Sequence, residues 1–302
     1  MDIETTCARF LGYCEKERQL TPNTLAAYGQ DLAEFCRFFV GRTAFDITGD
    51  EIVNYSRHLV ANRRLAPATV KRRLACIRAM YGRLRRQKVI QETPFADVDL
   101  RVRIPARLPR CLSAAEVRML LREAQHSCST TRLAALLLFA TGVRVSELAS
   151  IRTTDIDLEQ RSVRILGKGS RERQVFLPNE GLADALRDYM VTLHQSDRAP
   201  ARLLVNRIGQ PMSAAALRAR VRKLAERAGL VRRVTPHMFR HTAATALIEA
   251  GVDIRLVQRL LGHQSITTTQ IYTHISDRAL KAAIVGANVR RYAVSSEVAM
   301  SA

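Results

Sequence analysis

Apolar residues recur along this chain at intervals of three and four over much of its length, the spacing that places them on one face of an α-helix. In the first ninety residues this pattern predicts four helices. The first spans Asp2 to Arg18. The second starts at Thr21-Pro22-Asn23-Thr24, where a hydroxyl cap and an early proline form a start signal, and carries Leu25, Tyr28, Leu32, Phe35 and Phe39 on one side. The third runs from about Gly49 to Asn62, and the fourth from Pro67 to Gln87 with Val70, Leu74, Ile77, Tyr81 and Leu84 on its apolar face. Residues at these positions are expected in a core.

Between Glu92 and Leu112 the pattern breaks. Pro94, Pro105 and Pro109 alternate with Arg101, Arg103, Arg107 and Arg110, a composition that reads as an extended basic linker. Ser113-Ala-Ala-Glu116 has the form of a capping box and opens a second domain, with apolar helices around Val117 to Ala124 and Leu133 to Ala140. Ser162 to Leu166 and Gln174 to Leu177 predict two short strands joined by a hairpin. A helix from Ser213 to Arg227 follows, its stripe made by Leu217, Val221 and Leu224. Pro236 starts another that Gly251 ends, and Asp253 to Leu261 forms one more that stops at Gly262-His263, after which Ser265 is placed to cap a last short helix leading to Tyr272. The expected organisation is a helical domain over 1–90, a basic linker over 91–112, a second domain over 113–290 and a Ser/Ala-rich tail over 291–302. The fold class is mainly α with a small β-sheet, and no internal repeat stands out.

Charge changes this picture from architecture to function. The 302 residues hold 48 Lys+Arg against 28 Asp+Glu, a formal net charge of +20, which suits a protein that works on a polyanion, nucleic acid first. From Ile52 to Gln91 there is no acidic residue, while Arg and Lys accumulate. A one-signed stripe repels itself unless it is neutralised, so this stretch is expected to face a phosphate backbone, with Arg64, Lys71, Arg72, Arg73 and Arg78 as the candidate contacts. The alternative is a solvated helix face. The helix with Arg218, Arg220, Arg222, Lys223 and Arg227 is expected to touch DNA backbone or partner subunits, with an ordinary exposed face as the alternative.

The longest apolar run, Leu133 to Ala140, is far shorter than the roughly 20 residues of a membrane span. Asp2 and Glu4 stand where a secretory leader would carry positive charge. A cytoplasmic location without membrane association is expected. Cys7, Cys14, Cys36, Cys76, Cys111 and Cys128 form no CxxC pair, so they read as small core residues and isolated thiols, with neither a zinc site nor a disulfide framework indicated.

Candidate chemistry concentrates between Pro236 and His274. Arg240 can grip two phosphate oxygens, His237 and His263 can donate or shuttle protons near neutral pH, and Tyr272 can act as a nucleophile. His237 and Arg240 lie three apart on one helix face. Upstream, the Ala140–Leu148 segment ends an apolar helix in a glycine turn and delivers Arg144 at the start of the next, where a guanidinium and helix amides can meet one anion. Arg144 equally suits a structural pair with Glu147, and Glu147 reads as a support for the site. Lys168 stands between two glycines at the hairpin tip; it is either a solvated turn residue or a mobile ammonium able to protonate a leaving alkoxide.

The ordered set Arg144, Lys168, His237, Arg240, His263 and Tyr272, in the motifs ATGVRVSEL, GKGSRER, HMFRH, LGH and IYTH, resembles the tyrosine recombinase (phage integrase) family. The resemblance covers nearly the whole chain, and Met238-Phe239 before the arginine is a mild apolar departure from the family's usual leucine. It implies a helical core-binding, SAM-like domain and a catalytic domain that form a C-shaped clamp on duplex DNA. It implies that Arg144 and Arg240 bind the scissile phosphate, Tyr272 attacks phosphorus to give a 3′-phosphotyrosyl link, His237 serves as base, Lys168 protonates the departing 5′ oxygen and His263 positions the phosphate. No cofactor and no metal are implied. The partner is double-stranded DNA with a specific recombination site, bound by a homo-oligomer or by a hetero-tetramer with a paralogous recombinase, and the segment with Leu280, Ala283, Ile284 and Ala287 is placed to dock into a neighbouring subunit.

Three other classes compete for the same residues. His237 and His241 stand at the HExxH spacing of zinc proteases, but Met238 occupies the position of the catalytic glutamate. A type IB-like topoisomerase shares the chemistry without site specificity, and a non-catalytic DNA-binding protein would share the fold. Within the family, compact size favours a Xer-type enzyme of chromosome or plasmid dimer resolution, with a transposon or phage recombinase as the alternative.

Overall fold

The computed structural model describes residues 2–103, 111–167, 172–194 and 201–262, and the chain divides into two compact units, 1–107 and 108–302. Four helices make the first unit: α1 (Ile3–Lys16), α2 (Pro22–Phe38), α3 (Gly49–Ala61) and α4 (Pro67–Arg86). Each begins where the sequence supplies a start signal. Asp2 accepts from the Thr5 amide at 2.6 Å, Thr21 caps α2 ahead of Pro22, Thr48 and Glu51 form a capping box on α3, and Pro67 opens α4. The apolar faces meet in a core where the Phe35 ring packs edge-on against Phe39 and Tyr55, at centroid distances of 4.9 and 5.2 Å. The Tyr81 hydroxyl donates to the Ala44 carbonyl at 2.9 Å, so this buried ring keeps its polar end satisfied.

The expected linker is shorter than its composition suggests. Phe95 is buried in the first core, beside Tyr81 at 6.1 Å and under the Arg78 guanidinium, and Leu100 and Val102 pack against the same core. Apolar side chains spaced among the prolines therefore bind residues 95–102 to the first unit. At the other end Leu112 is buried in the second core, its amide donating to Thr242 Oγ1 at 2.7 Å.

The second unit is built around α6 (Ser129–Thr141). Most of its residues are buried, and a helix that is apolar nearly all round belongs inside. Around it stand α5 (Ala114–Gln125), the short α7 (Val145–Ser150), α8 (Glu180–His194), α9 (Ala214–Arg227) and α10 (Pro236–Glu249), with α11 (Ile254–Leu261) packed on α10. The Ser113–Glu116 capping box is formed in both directions. α8 lies in a stretch to which the patterning above assigns no element, although Leu182, Leu186, Tyr189 and Leu193 make a buried stripe along it.

The sheet has one strand more than expected. β1 (Ile156–Asp157), β2 (Ser162–Leu166) and β3 (Glu172–Phe176) run antiparallel in that order, with Val163 opposite Val175 and Ile165 opposite Arg173. Side chains alternate across a strand, so Arg173 shares a face with Val175 and lies across from the buried Ile165. That register turns an arginine inward. All six cysteines are free; Cys7, Cys14 and Cys76 are buried and Cys128 is exposed. Among the described residues no helix is long and apolar enough to cross a membrane.

Candidate active site

Two helices of the second unit end in left-handed glycines. Gly142 closes α6 at φ 62° and Gly262 closes α11 at φ 65°, a conformation that costs a residue with a Cβ about 1–2 kcal/mol. A Cβ at Gly142 would also stand 2.7 Å from Leu261 Cδ2, so the two helix ends touch because this residue has no side chain. Carbonyls in a last helical turn lack partners within their helix and carry the negative end of its dipole. Here they converge, and they attract cations.

Arg240 projects from the buried side of α10 and is 4 % exposed. It donates from Nη1 to the Gly142 carbonyl at 2.8 Å and from Nη2 to the Leu261 carbonyl at 2.6 Å. Arg144, the N-cap of α7, donates from Nη2 to the Gly262 carbonyl at 3.2 Å and from Nη1 to the Leu261 carbonyl at 3.5 Å. The two guanidinium groups thus converge on Leu261. Glu147 orients Arg144, accepting from its backbone amide at 2.8 Å and from Nη1 at 2.9 Å. Arg144 therefore makes the expected pair with Glu147 and also donates to the two carbonyls at the end of α11.

The electrostatics are unbalanced. Among the described residues no carboxylate lies within ion-pair distance of Arg240. Its pKa is pushed down to about 10, first by burial and then by the Arg144 charge beside it. A buried cation without a paired carboxylate favours a nearby anion. A guanidinium has five N–H donors, and the carbonyl contacts of Arg240 use two of them. What remains suits tetrahedral oxyanions such as phosphate.

His237, one turn before Arg240, is exposed. The partial burial of its ring lowers its pKa from the ordinary value, and the neighbouring His241, Arg240, Arg218 and Arg144 lower it further. The neutral imidazole, able to take a proton, therefore prevails at neutral pH. Arg218 on α9, weighed above as a possible DNA-backbone contact, belongs to the electrostatic surroundings of this histidine. Among the described residues no cluster of three or more His, Cys, Asp or Glu side chains could hold a metal ion. Lys168, His263 and Tyr272 lie outside the described residues.

Arg173 carries no assigned role in the sequence reading, and the structure places it in the centre of this network. Its Nη1 and Nη2 donate to the two Glu147 oxygens at 2.9 and 2.7 Å, and its Nε donates to the Leu260 carbonyl at 2.7 Å. Burial alone would raise the Glu147 pKa, but the hydrogen bonds from Arg173 and from the Arg144 amide outweigh it and hold the carboxylate below its usual range. The alternation of β3 was the available signal.

On the first unit, the five candidate DNA contacts separate into two groups. Arg64, Lys71 and Arg78 are exposed, as is Arg72. Arg72 and Arg73 both pair with Asp31, which is fully buried, and Arg73 also reaches Glu34 Oε2 at 3.7 Å. Arg73 is 12 % exposed, so it points into the unit instead of outward. Part of the stripe is therefore neutralised within the unit, because α2 supplies two acids that the segment itself lacks.

Comparison with known proteins supports the same assignment. Residues 110–279 match the Phage integrase family, and residues 7–88 match the phage integrase N-terminal SAM-like domain. A tyrosine recombinase XerC of Roseiflexus castenholzii is 38 % identical over 279 residues, covering 88 % of each chain. A tyrosine recombinase XerD of Halalkalibacterium halodurans is 34 % identical over 289 residues, covering 92 % of this chain and 96 % of that one. Among solved structures, the XerH site-specific recombinase in its pre-cleavage complex with difH substrate superposes with a TM-score of 0.68 at 24 % identity, over 92 % of this chain and 83 % of that one. With its paired arginines held at two helix ends and both of its regions matched, the chain belongs to the phage integrase family of tyrosine recombinases.

Proposed function

We propose that this protein is a Xer-type site-specific recombinase that cuts and rejoins duplex DNA through a covalent tyrosyl intermediate. The observation that carries the reading is the Arg144–Arg240 pair, two guanidinium groups fixed on the Leu261 carbonyl, with Glu147 shared between Arg144 and a third arginine, Arg173. Charge develops on the non-bridging oxygens as phosphorus becomes five-coordinate, and donors already in place stabilise it without reorganising.

In the proposed step the phenolic oxygen of Tyr272 bonds to phosphorus as the bond to the 5′ oxygen breaks. His237 takes the phenolic proton, which its lowered pKa permits at neutral pH, and Lys168 gives a proton to the departing oxygen. His263 hydrogen-bonds the phosphate. The products are a 3′-phosphotyrosyl link and a 5′-hydroxyl, and attack by the 5′-hydroxyl of another strand reverses the step. The ester energy is conserved in the link, so the scheme asks for neither ATP nor metal.

The partners in this reading are a specific recombination site and further recombinase protomers, identical or paralogous, on DNA in the cytoplasm. Arg64, Lys71 and Arg78 would contact the phosphate backbone. A substrate nicked beside the cleavage point tests the proposal, because the short strand diffuses away and traps the adduct. A covalent protein–DNA band is expected from the wild type and none from Tyr272→Phe; an undiminished band from that variant overturns the reading.

A further inference from the structure

Arg173 is the guanidinium of the active-site network that holds both oxygens of Glu147, with three of its five N–H donors taken within the protein. Nε holds the Leu260 carbonyl, and both terminal nitrogens hold Glu147. A Cβ on Gly262 would meet its Nη1 at 3.2 Å, so the same side chain packs against the turn whose carbonyl receives Arg144. Glu147 in turn has two claimants, Arg173 and Arg144.

Charge is the quantity this arrangement controls. Glu147 is 5 % exposed, and a carboxylate that deep must have a cation. If Arg144 were its only partner, the carboxylate would cancel the charge that Arg144 offers to a phosphate. With Arg173 also bound, the carboxylate has a second cation that donates to both of its oxygens, while those oxygens still orient the Arg144 amide and Nη1.

We propose that Arg173 is a positioning residue for strand cleavage: it neutralises Glu147, so that Glu147 orients Arg144 without quenching its charge. The inference rests on the reading of Arg144 and Arg240 as phosphate ligands. It differs from a simple brace, because a brace depends on shape and this role depends on the sign of the charge at 173 relative to that at 147.

Cleavage of the nicked substrate by the full chain distinguishes the two. Arg173→Met keeps length and removes charge, and about a 10²-fold slower cleavage is expected, the scale of losing one preorganised charge contact. Adding Glu147→Gln removes the carboxylate that Arg173 served, and the double variant is expected to cleave at least about tenfold faster than Arg173→Met alone, a coupling between contacting residues that a shape-only role does not produce. Arg173→Lys, which keeps the charge but cannot span both Glu147 oxygens and Leu260, is expected within about tenfold of wild type; this arm decides the matter should Arg173→Met fail to fold. Arg173→Met at wild-type speed, a double variant no faster than the single one, or Arg173→Lys as slow as Arg173→Met overturns the inference. Arg240→Ala in the same assay tests the underlying reading separately: wild-type cleavage by that variant removes the phosphate assignment itself.

Discussion

Arg240 donates from Nη2 to the carbonyl of Leu261 at 2.6 Å, and that oxygen also lies 3.5 Å from Arg144 Nη1. One peptide group at the end of α11 therefore sets the spacing of the two cations proposed to bind the scissile phosphate.

Arg240→Lys is expected to slow cleavage by roughly 10²- to 10³-fold while changing site binding little, because a single ammonium cannot bond the Gly142 and Leu261 carbonyls together and still offer a planar fork to phosphate. Single-turnover cleavage and gel-shift titration of the same preparation check this. A loss confined to affinity would place Arg240 outside the transition state.

Gly142→Ala is expected to lower the melting temperature and to slow cleavage together. The left-handed φ costs about 1–2 kcal/mol, and the 2.7 Å approach to Leu261 Cδ2 pushes α11 away from the carbonyl platform. For a domain of this size each kcal/mol lowers the midpoint by roughly 2–4 °C. Thermal melts compared with Gly209→Ala, where a Cβ also meets positive φ but no atom within 4 Å, separate the conformational cost from the displacement of α11. Equal losses in the two variants would leave the Leu261 contact without consequence.

Much of this was legible beforehand, and what was not has physical reasons. Helix starts could be read from Asp2, Thr21, Thr48 and Ser113 because a cap is a local event, decided within four residues. The Arg144–Glu147 pair is equally local. The Leu261 platform joins residues more than a hundred positions apart, and the Asp31–Arg72 pair crosses 41 positions, so neither has a signal in spacing. Arg173 is intermediate. Its face could have been inferred from Val163, Ile165 and Val175, but an arginine within the run GKGSRER reads as a turn charge until the register is known.

Cleavage is expected to hold its rate as pH falls from 8 to about 6.5 and to decline only below the ordinary histidine range. His237 is held below that range by partial burial and by the cations around it, so its neutral form persists to lower pH than a free imidazole's. The same shift has a stability consequence: the folded state binds fewer protons than the unfolded one, so stability is lost as pH falls through the unfolded value near 6.5. A rate profile measured alongside thermal melts checks both. An acid limb unchanged in His237→Gln would remove the histidine from the proton transfer.

Lys71→Ala and Arg73→Ala are expected to fail in different ways, although they lie two residues apart on α4. Lys71 is exposed, so its loss should weaken DNA binding and reduce the slope of log affinity against log salt by about 1, leaving the melting temperature nearly unchanged. Arg73 points inward, 3.4 Å from Asp31, and Asp31 is fully buried. Removing one partner of a buried pair costs about 3–5 kcal/mol, because the remaining charge has no water to replace it. Arg72, half-exposed, would still hold Asp31, which places the expected loss toward the lower end of that range. Asp31→Asn in the Arg73→Ala background should recover part of the stability, since the amide leaves no uncompensated charge inside. A salt slope altered by Arg73→Ala but not by Lys71→Ala would mean that α4 presents the opposite edge to DNA, with the acids of α2 displaced on binding.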